Sequence, residues 1–389
     1  MLTTNAGTAG NAVPAWRRTL PDLGSVVVWW LVVVTATTVS WASVPVELDA
    51  AYDYLEDYPV WVQSLVRWDS NYYLSIAQHG YTSPEMPAFF PLYPLLVRLV
   101  AAVGIAPPYA GIAVSALATT VAVVHLRRLA EDHLGPGVLP RRAVTLFLAG
   151  PAALFLAAVY TEALFCALAF GAFSHARRGQ WARACLYLGL LTATRLPAVV
   201  VVAAVFVDHV AQNRRLSRST LWFALAPLGL LAYLAYSARE LGDPLAFLHA
   251  YDNAWTYQVF DPNVAATVFG VARDWVAFFS APGGPDVEHL FRDGLGLFAW
   301  LFCLVVTCLS LRRQPVGFTV LSFGTLLFVA LNSNLQAVNR YVLVLFPVLL
   351  AVTGWRFLRP ESRFTALVFA SGGVMVLCAV LFTHAEWVG

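Results

Sequence analysis

Near its N-terminus the chain carries the apolar run GSVVVWWLVVVTATTVSWASVP, residues 24–45. A membrane-spanning helix needs about 20 mostly apolar residues, so this run is long enough to cross a bilayer. Similar runs fill most of the chain, which is 59% hydrophobic and only 12% charged, against about 25% charged residues in soluble domains. Only helices and closed barrels satisfy every backbone group in lipid, and strand-like alternation is absent. The sequence therefore predicts an all-α, polytopic membrane helix bundle.

The arginines predict the orientation of this bundle. All 24 basic residues are arginine, and Arg17 and Arg18 precede the first apolar run. Cytoplasmic segments are enriched in basic residues, so the sequence predicts a cytoplasmic tail at 1–20 and a first outer loop at 46–106. Further arginine clusters are assigned to the cytoplasm, at 127–142, 177–183, 214–218, 312–313 and 356–363.

With these clusters inside, the predicted number of transmembrane helices is eleven. The run 89–105 contains two prolines and Arg98, and it is interpreted as a juxtamembrane helix of the first outer loop. The stretch 184–209 has arginines on both flanks and a central proline, so it is predicted to form two short helices that meet near the outer face, with Arg195 at the apex. In the alternative topology both segments cross once, which would leave seven arginines outside.

Other features bound the domain organisation and the chemistry. A second outer loop is predicted at 239–293, with seven acids between Glu240 and Glu288, and the whole chain, 1–389, is treated as one domain. The five cysteines lie in apolar runs without CxxC spacing, which is typical of packing residues. Walker, Rossmann and DxD patterns are absent, so nucleotide chemistry, a metal site and nucleic-acid binding are not predicted. The absence of lysine and the abundance of Ala and Val indicate a GC-rich bacterial genome.

In this topology, polar residues from distant segments converge on the outer face. Ionisable groups at membrane depth are costly and usually line a site or a pathway. Convergence at the interface, away from the bilayer midplane, indicates a substrate that is half lipid. The converging residues are Asp69, His79, Glu85, Glu162, Arg195, Asn334, Gln336, Asn339 and Arg340.

Asp69 begins a helical pattern in which Tyr72 and Tyr73 follow at i+3 and i+4. One interpretation of Asp69 is an N-cap of that helix. The other is a general base, beside Trp68, that takes the proton of a sugar hydroxyl. The two roles are compatible with each other.

Each of the remaining candidates also has two interpretations. Arg195 and Arg340 lie at edges of apolar runs with no acid within four residues, so they either snorkel to the interface or bind a lipid phosphate. Glu162 either caps the helix that follows it or belongs to the site. His79 is either a packed loop histidine or a site residue.

Several blocks of the sequence carry a family resemblance. RWDSNYYLSIAQHGY (67–81), followed by AFFPLYPLL (88–96), resembles the first-loop signature of the PIG-V mannosyltransferases. This family includes the enzyme that adds the second mannose of GPI anchors. The resemblance continues through PAALFLAAVYTEALF (151–165) and LLTATRLP (190–197), and it is weaker at NRYVLVLFP (339–347).

The resemblance implies a GT-C type membrane fold, with juxtamembrane helices in the first outer loop and an outward-facing site. It also implies a polyprenyl- or dolichyl-phosphate mannose donor and no metal or other cofactor. Asp69 matches the catalytic carboxylate, and Arg195, together with Arg340, is expected at the donor phosphate. The residues expected to bind substrate are Trp68, Tyr72, Tyr73, His79, Glu85, Tyr160, Glu162, Asn339 and Tyr341.

The function predicted from these features is inverting transfer of mannose from a lipid phosphate at the outer face of the cell membrane. Bacteria generally lack GPI anchors, so a cell-envelope glycolipid, lipoglycan or secreted protein is the expected acceptor. A lipid-linked sugar or polysaccharide transporter is the alternative, although such proteins often show internal repeats and none is evident here. A third hypothesis is a non-catalytic scaffold for envelope assembly, which would not need Asp69 or Arg195.

Overall fold

The structure is a computed structural model, and it describes residues 15–43, 50–214, 216–254, 264–280, 287–331 and 337–384. All regular elements within these ranges are helical, as predicted. The α-helices in chain order are α1 (Ala15–Ser43), α2 (Val60–Gln63), α3 (Asp69–His79), α4 (Leu92–Ala101), α5 (Pro107–Leu134), α6 (Val138–Leu148), α7 (Glu162–Ala176), α8 (Trp181–Leu191), α9 (Ala198–Asn213), α10 (Leu228–Tyr236), α11 (Ala246–Ala254), α12 (Val264–Ser280), α13 (Val287–Ser310), α14 (Val316–Ala330), α15 (Val338–Tyr341), α16 (Phe346–Thr353) and α17 (Glu361–Thr383).

Several helical segments have the length and composition of membrane spans, which confirms a polytopic membrane protein. Shorter apolar helices of 10 to 17 residues lie between them in the chain. The number of eleven crossings and the orientation stay predictions, as does the loop assignment of 239–293, within which the structure places α11 and α12. Within the described residues, the five long segments are Asp22–Ser43, Pro107–Leu134, Arg218–Leu241, Leu290–Ser310 and Glu361–Thr383.

The two unusual segments of the predicted topology have the expected local structure. The run 89–105 contains α4, whose ten residues extend only about 15 Å, half of a hydrocarbon core of about 30 Å. The stretch 184–209 contains α8 and α9, with Arg195 in the turn between them. The Leu92 amide donates a 3.0 Å hydrogen bond to the Ala193 carbonyl, so the start of α4 is fixed against that turn.

The apolar stretch 143–159, by contrast, is not one helix. The helix α6 ends at Leu148, because Gly150 and Pro151 interrupt the helical hydrogen bonding, and a 3-10 helix follows at Pro151–Leu156. Hydroxyl groups of α5 bind the carbonyls that this break leaves without helical partners. Ser115 donates to the Ala158 carbonyl at 2.8 Å and Thr119 donates to the Leu156 carbonyl at 2.9 Å. A broken helix is tolerated at membrane depth when its backbone is satisfied in this way.

The centre of the bundle is α7, in which every residue except His175 is buried. A helix that is apolar on all sides is expected at the centre of a bundle. The helix begins at Glu162, directly after the broken segment. Packing around α7 therefore fixes the position of the Glu162 side chain at the start of this buried helix.

The helices α8 and α10 approach closely through glycine. A methyl group at Gly229 would lie 2.1 Å from the Gly189 carbonyl oxygen and 2.8 Å from the Ala193 amide nitrogen. The Thr192 hydroxyl donates to the Ala226 carbonyl at 2.8 Å and joins the same two segments. Because α8 leads into the turn that carries Arg195, this contact also positions that side chain.

We predict that Gly229→Ala lowers the melting temperature of the purified protein. The new methyl group would overlap backbone atoms, and overpacking typically costs about 1–3 kcal/mol. The matched control is Gly372→Ala in α17, where a methyl group would meet no atom within 4 Å. Thermal unfolding in detergent measures both variants, and equal melting temperatures would contradict the close approach.

Candidate active site

Two carboxylates and two guanidinium groups form a connected ion network where four chain segments meet. Asp69 is the first residue of α3, Glu162 the first residue of α7, and Arg195 lies in the turn between α8 and α9. Arg340 comes from the one-turn helix α15. Arg340 Nη1 donates to Asp69 Oδ2 at 2.8 Å, and Arg340 Nε donates to Glu162 Oε1 at 2.6 Å. Residues separated by more than 250 positions in the chain therefore share one network.

Glu162 connects the two arginines. Its Oε1 atom accepts a 2.6 Å hydrogen bond from Arg195 Nη1 in addition to the one from Arg340. The Glu162 side chain is only 1% exposed. It was predicted either to cap the helix that follows it or to belong to the site, and it is both the acid in the first turn of α7 and the common acceptor of two cations. In a buried position, such pairing is what allows like charges to lie side by side.

Asp69 is the more accessible of the two carboxylates, with 16% of its side chain exposed. The interpretation of Asp69 as an N-cap is wrong, since it is the first residue within α3 and Trp68 occupies the position before the helix. Burial raises the pKa of Asp69 above its ordinary value, and the charge of Arg340 opposes that effect. The Asp69 carboxylate is thus held by Arg340, and part of it stays accessible at the surface of the site.

Trp68 has an uncommon backbone conformation, with φ of 55°, which is a strained region for a bulky residue. Two hydrogen bonds hold it in place. Its amide donates to the Tyr52 hydroxyl at 2.8 Å, and its indole Nε1 donates to the Phe382 carbonyl at 3.3 Å. This turn directs Asp69 towards Arg340, so the strain at Trp68 lies next to the candidate catalytic group.

Aromatic rings cover the two arginines of the network. The Arg195 guanidinium lies 4.9 Å from the centre of the Tyr341 ring, and that of Arg340 lies 5.1 Å from Tyr160 and 5.5 Å from Phe155. A cation above an aromatic face is stabilised by about 0.5–2 kcal/mol. The predicted site residues Tyr160 and Tyr341 therefore contact the arginines, and the first of them is fully buried.

Three aromatic residues of the first-loop motif were predicted to bind substrate, and they divide into buried and accessible side chains: Trp68, Tyr72 and Tyr73. Tyr73 is 3% exposed, and its hydroxyl lies 3.2 Å from that of Thr161, so it packs inside the bundle. Tyr72 is half-buried and stacks on Phe89 with ring centres 4.6 Å apart. Trp68 is also half-buried. Of the three predicted rings, Trp68 and Tyr72 are thus the ones that a ligand can contact without displacing the core.

Two other predicted residues lie apart from the network. His79 is exposed at the last position of α3, about 15 Å along the helix from Asp69. Glu85 is half-buried and accepts a 2.6 Å hydrogen bond from Ser83. Neither His79 nor Glu85 is bonded to the arginines of the network in the described part of the chain.

Asn339 is next to Arg340, and it is 4% exposed. Its Nδ2 atom is buried and has no hydrogen-bond partner among the described residues.

The predicted residues Asn334 and Gln336 lie outside the described residues. The described part of the chain also contains no cluster of three or more metal-ligating side chains, and the absence of a metal requirement stays a prediction.

A cavity beside the network extends between α7, α9 and α14. Phe165, Val201 and Val344 give it apolar walls, and Arg195 and Arg340 contribute cationic groups. Cys166 and Thr325 also line it, and neither is among the residues predicted from the sequence. They lie inside continuous apolar helices, where the sequence pattern contains no signal that separates a cavity wall from ordinary packing.

Together, the apolar helix bundle and the acid–arginine network at the helix ends define a polytopic membrane protein with a cluster of charged side chains. Residues 27–252 match the family model described as Mannosyltransferase (PIG-V), which is more than half of the chain. The chain belongs to the PIG-V mannosyltransferase family, and the resemblance in the sequence is confirmed. The matched range includes Asp69, Glu162 and Arg195, whereas Arg340 lies beyond it.

Individual proteins that this chain resembles are also named as mannosyltransferases. The GPI alpha-1,6-mannosyltransferase 2 of Cricetulus griseus is 35% identical over 201 residues, which cover 48% of this chain and 40% of that protein. The protein of the same name from Mus musculus is 39% identical over 136 residues, 32% of this chain and 27% of the relative. The GPI mannosyltransferase 2 of Yarrowia lipolytica is 30% identical over 146 residues, 38% of this chain and 41% of the relative. The matches therefore span less than half of these curated relatives.

We predict that Glu162→Gln destabilises the protein strongly, because the buried guanidinium group of Arg340 and the partly buried one of Arg195 then lose their shared anion. Removing one partner of a buried ion pair typically costs about 3–5 kcal/mol. Asp69→Asn is the comparison, since that carboxylate is partly exposed and pairs with one arginine only. Thermal unfolding should show the larger loss for Glu162→Gln. A melting temperature equal to that of the wild type would contradict the structural role of Glu162.

Proposed function

We propose that the protein is an inverting membrane mannosyltransferase. The donor in this proposal is polyprenyl-phosphate-mannose, and the acceptor is a cell-envelope glycolipid, lipoglycan or similar molecule on the outer face of the cell membrane. Family membership supports the type of sugar transfer. The observation that carries the mechanism is the network in which Arg340 joins Asp69 to Glu162 and Glu162 joins Arg340 to Arg195.

The exposure of the two carboxylates assigns their roles in this proposal. A general base must come within hydrogen-bond distance of the proton that it removes. Asp69 is 16% exposed, so an acceptor hydroxyl can reach its carboxylate. Glu162 is 1% exposed, and its Oε1 atom already accepts hydrogen bonds from both arginines. Asp69 is thus the general base, and Glu162 is a positioning residue that holds Arg195 and Arg340 together.

The reaction is a single displacement. The acceptor hydroxyl transfers its proton to the Asp69 carboxylate, and its oxygen forms a bond with the anomeric carbon of mannose. The bond between that carbon and the phosphate oxygen breaks, and its electron pair stays on the polyprenyl phosphate. Attack from the face opposite the leaving phosphate inverts the configuration at the anomeric carbon.

Arg195 and Arg340 stabilise the leaving phosphate, on which negative charge develops. A guanidinium group has five N–H donors, and Glu162 engages one nitrogen of each arginine. The Arg195 side chain is 13% exposed, which makes it the more accessible cation for a ligand. A lipid phosphate has an anionic part and an apolar part, and both cationic and apolar side chains line the small cavity beside Glu162.

The charges balance within the network. Before transfer, two arginines and two carboxylates sum to zero beside a phosphodiester with one negative charge. After transfer, Asp69 is neutral and the phosphate monoester has gained one negative charge. The total charge at the site does not change, so the low-dielectric surroundings do not have to stabilise a net increase.

We predict that Asp69→Asn lowers the transfer rate by about 10²–10⁴-fold, the usual contribution of a general base, while the protein stays folded. Purified protein in nanodiscs would be given radiolabelled polyprenyl-phosphate-mannose and a lipid extract of the host. The matched control is Asp57→Asn, an exposed acid in the segment before α3. Near-normal transfer by Asp69→Asn would exclude the proposed role of this residue.

We also predict an acid limb in the pH profile of kcat/KM. The base acts only when ionised, so kcat/KM falls as Asp69 becomes protonated. Because burial raises the pKa of Asp69, the half-maximal point should lie above the ordinary value of 3.8. Rates measured from pH 4 to pH 8 test this, and a profile that stays flat to pH 4 would contradict it.

A further inference from the structure

Arg67 is a buried cation that lies outside the ion network. The residue is 3% exposed, and its guanidinium carbon lies 4.7 Å from the centre of the Trp41 ring and 4.6 Å from that of Tyr52. No described residue forms an ion pair with Arg67 or accepts a hydrogen bond from its buried Nε and Nη1 atoms. By contrast, the buried side chains of Arg142 and Arg340 each contact a carboxylate.

An unpaired buried cation is energetically unfavourable, because removing a charge from water costs several kcal/mol unless an anion compensates. Each aromatic contact returns about 0.5–2 kcal/mol but gives the N–H donors no acceptor. Burial also lowers the pKa of Arg67 from its ordinary value. The described residues therefore leave the Arg67 guanidinium without an anionic acceptor.

The position of Arg67 indicates where such an anion would come from. Trp41 is near the end of α1, and Trp68, the next residue after Arg67, donates to the Phe382 carbonyl near the end of α17. Both helices contain segments long and apolar enough to span a membrane. Tryptophan and tyrosine are enriched at the level of lipid headgroups, and the rings of Trp41 and Tyr52 are only half-buried.

A second unpaired atom lies at the same two helix ends. The Ser40 hydroxyl of α1 contacts the Thr383 hydroxyl of α17 at 2.8 Å and the Nδ1 atom of His384 at 3.1 Å. The other ring nitrogen of His384, Nε2, is buried and has no hydrogen-bond partner in the part of the chain that the structure describes. The ends of α1 and α17 thus have unused hydrogen-bonding capacity in addition to that of Arg67.

We propose that Arg67 binds the phosphate group of an anionic membrane lipid at the ends of α1 and α17. A guanidinium group suits phosphate because its planar N–H donors match the phosphate oxygens. The half-buried rings of Trp41 and Tyr52 border the route by which the headgroup reaches the cation. This lipid site is distinct from the network of Asp69, and its occupancy does not depend on the proposed sugar transfer.

Thermal unfolding in a neutral detergent tests this lipid site. Saturating phosphatidylglycerol should raise the melting temperature of the wild type by roughly 3–5 °C, and phosphatidylcholine should not. Arg67→Gln should lose this shift. The matched control is Arg98→Gln, an exposed arginine on α4, which should keep it. An undiminished shift in Arg67→Gln would overturn the proposal.

Two further measurements complete the test. Inorganic phosphate is the probe for a free anion, and a shift as large as that with phosphatidylglycerol would overturn the assignment to a lipid. Native mass spectrometry of the wild type does not depend on whether Arg67→Gln folds. It should show one phosphatidylglycerol molecule retained per chain, and retention of none would contradict the site. Neither readout requires transfer activity, so the two proposals fail or succeed separately.

Discussion

The structure depends on the compensation of two arginine charges inside an apolar bundle. Arg195 and Arg340 are brought together because one carboxylate oxygen of Glu162 accepts a hydrogen bond from each. Without that oxygen, two like charges would face each other in a medium where their repulsion is strong. Asp69 supplies the second negative charge through Arg340. The arrangement therefore fixes the ends of α3, α7 and α15 and the turn between α8 and α9 relative to one another.

Helix breaks are what make this arrangement feasible. Three of the four charged residues lie at the start of a helix or between two helices, and none lies in the middle of a long membrane-spanning helix. A break frees backbone groups, which must be satisfied at membrane depth. The hydroxyls of Ser115 and Thr119 satisfy carbonyls of the segment that leads to Glu162. Ser115 and Thr119 of α5 thus stabilise the segment that precedes Glu162, although neither hydroxyl is bonded to Glu162 itself.

Much of the architecture follows from local sequence patterns. The all-α membrane class follows from apolar length, and the pairing of α8 with α9 follows from the proline beside Arg195. The short helix α4 follows from the prolines in the run 89–105. The pairing within the site could not be predicted, because Arg340 lies 271 residues from Asp69 and 178 residues from Glu162. No periodicity encodes contacts across such distances.

The sequence also left the accessibility of each candidate undetermined. Tyr73 and Tyr72 are neighbours in one motif, yet one is buried against Thr161 and the other is half-exposed on Phe89. His79 belongs to the same motif but lies at the far end of α3. A sequence motif shows which residues occur together. The helical rotation and the packing of neighbouring segments determine which of these residues a ligand can contact.

The central claim is that the acid–arginine network binds a lipid phosphate with its sugar next to Asp69. The most direct measurement is a cryo-electron microscopy structure of the protein with a non-reactive analogue of polyprenyl-phosphate-mannose. We predict phosphate oxygens within hydrogen-bond distance of Arg195 and Arg340, with the anomeric carbon facing Asp69. A phosphate bound elsewhere, with both arginines engaged only by the carboxylates, would contradict it.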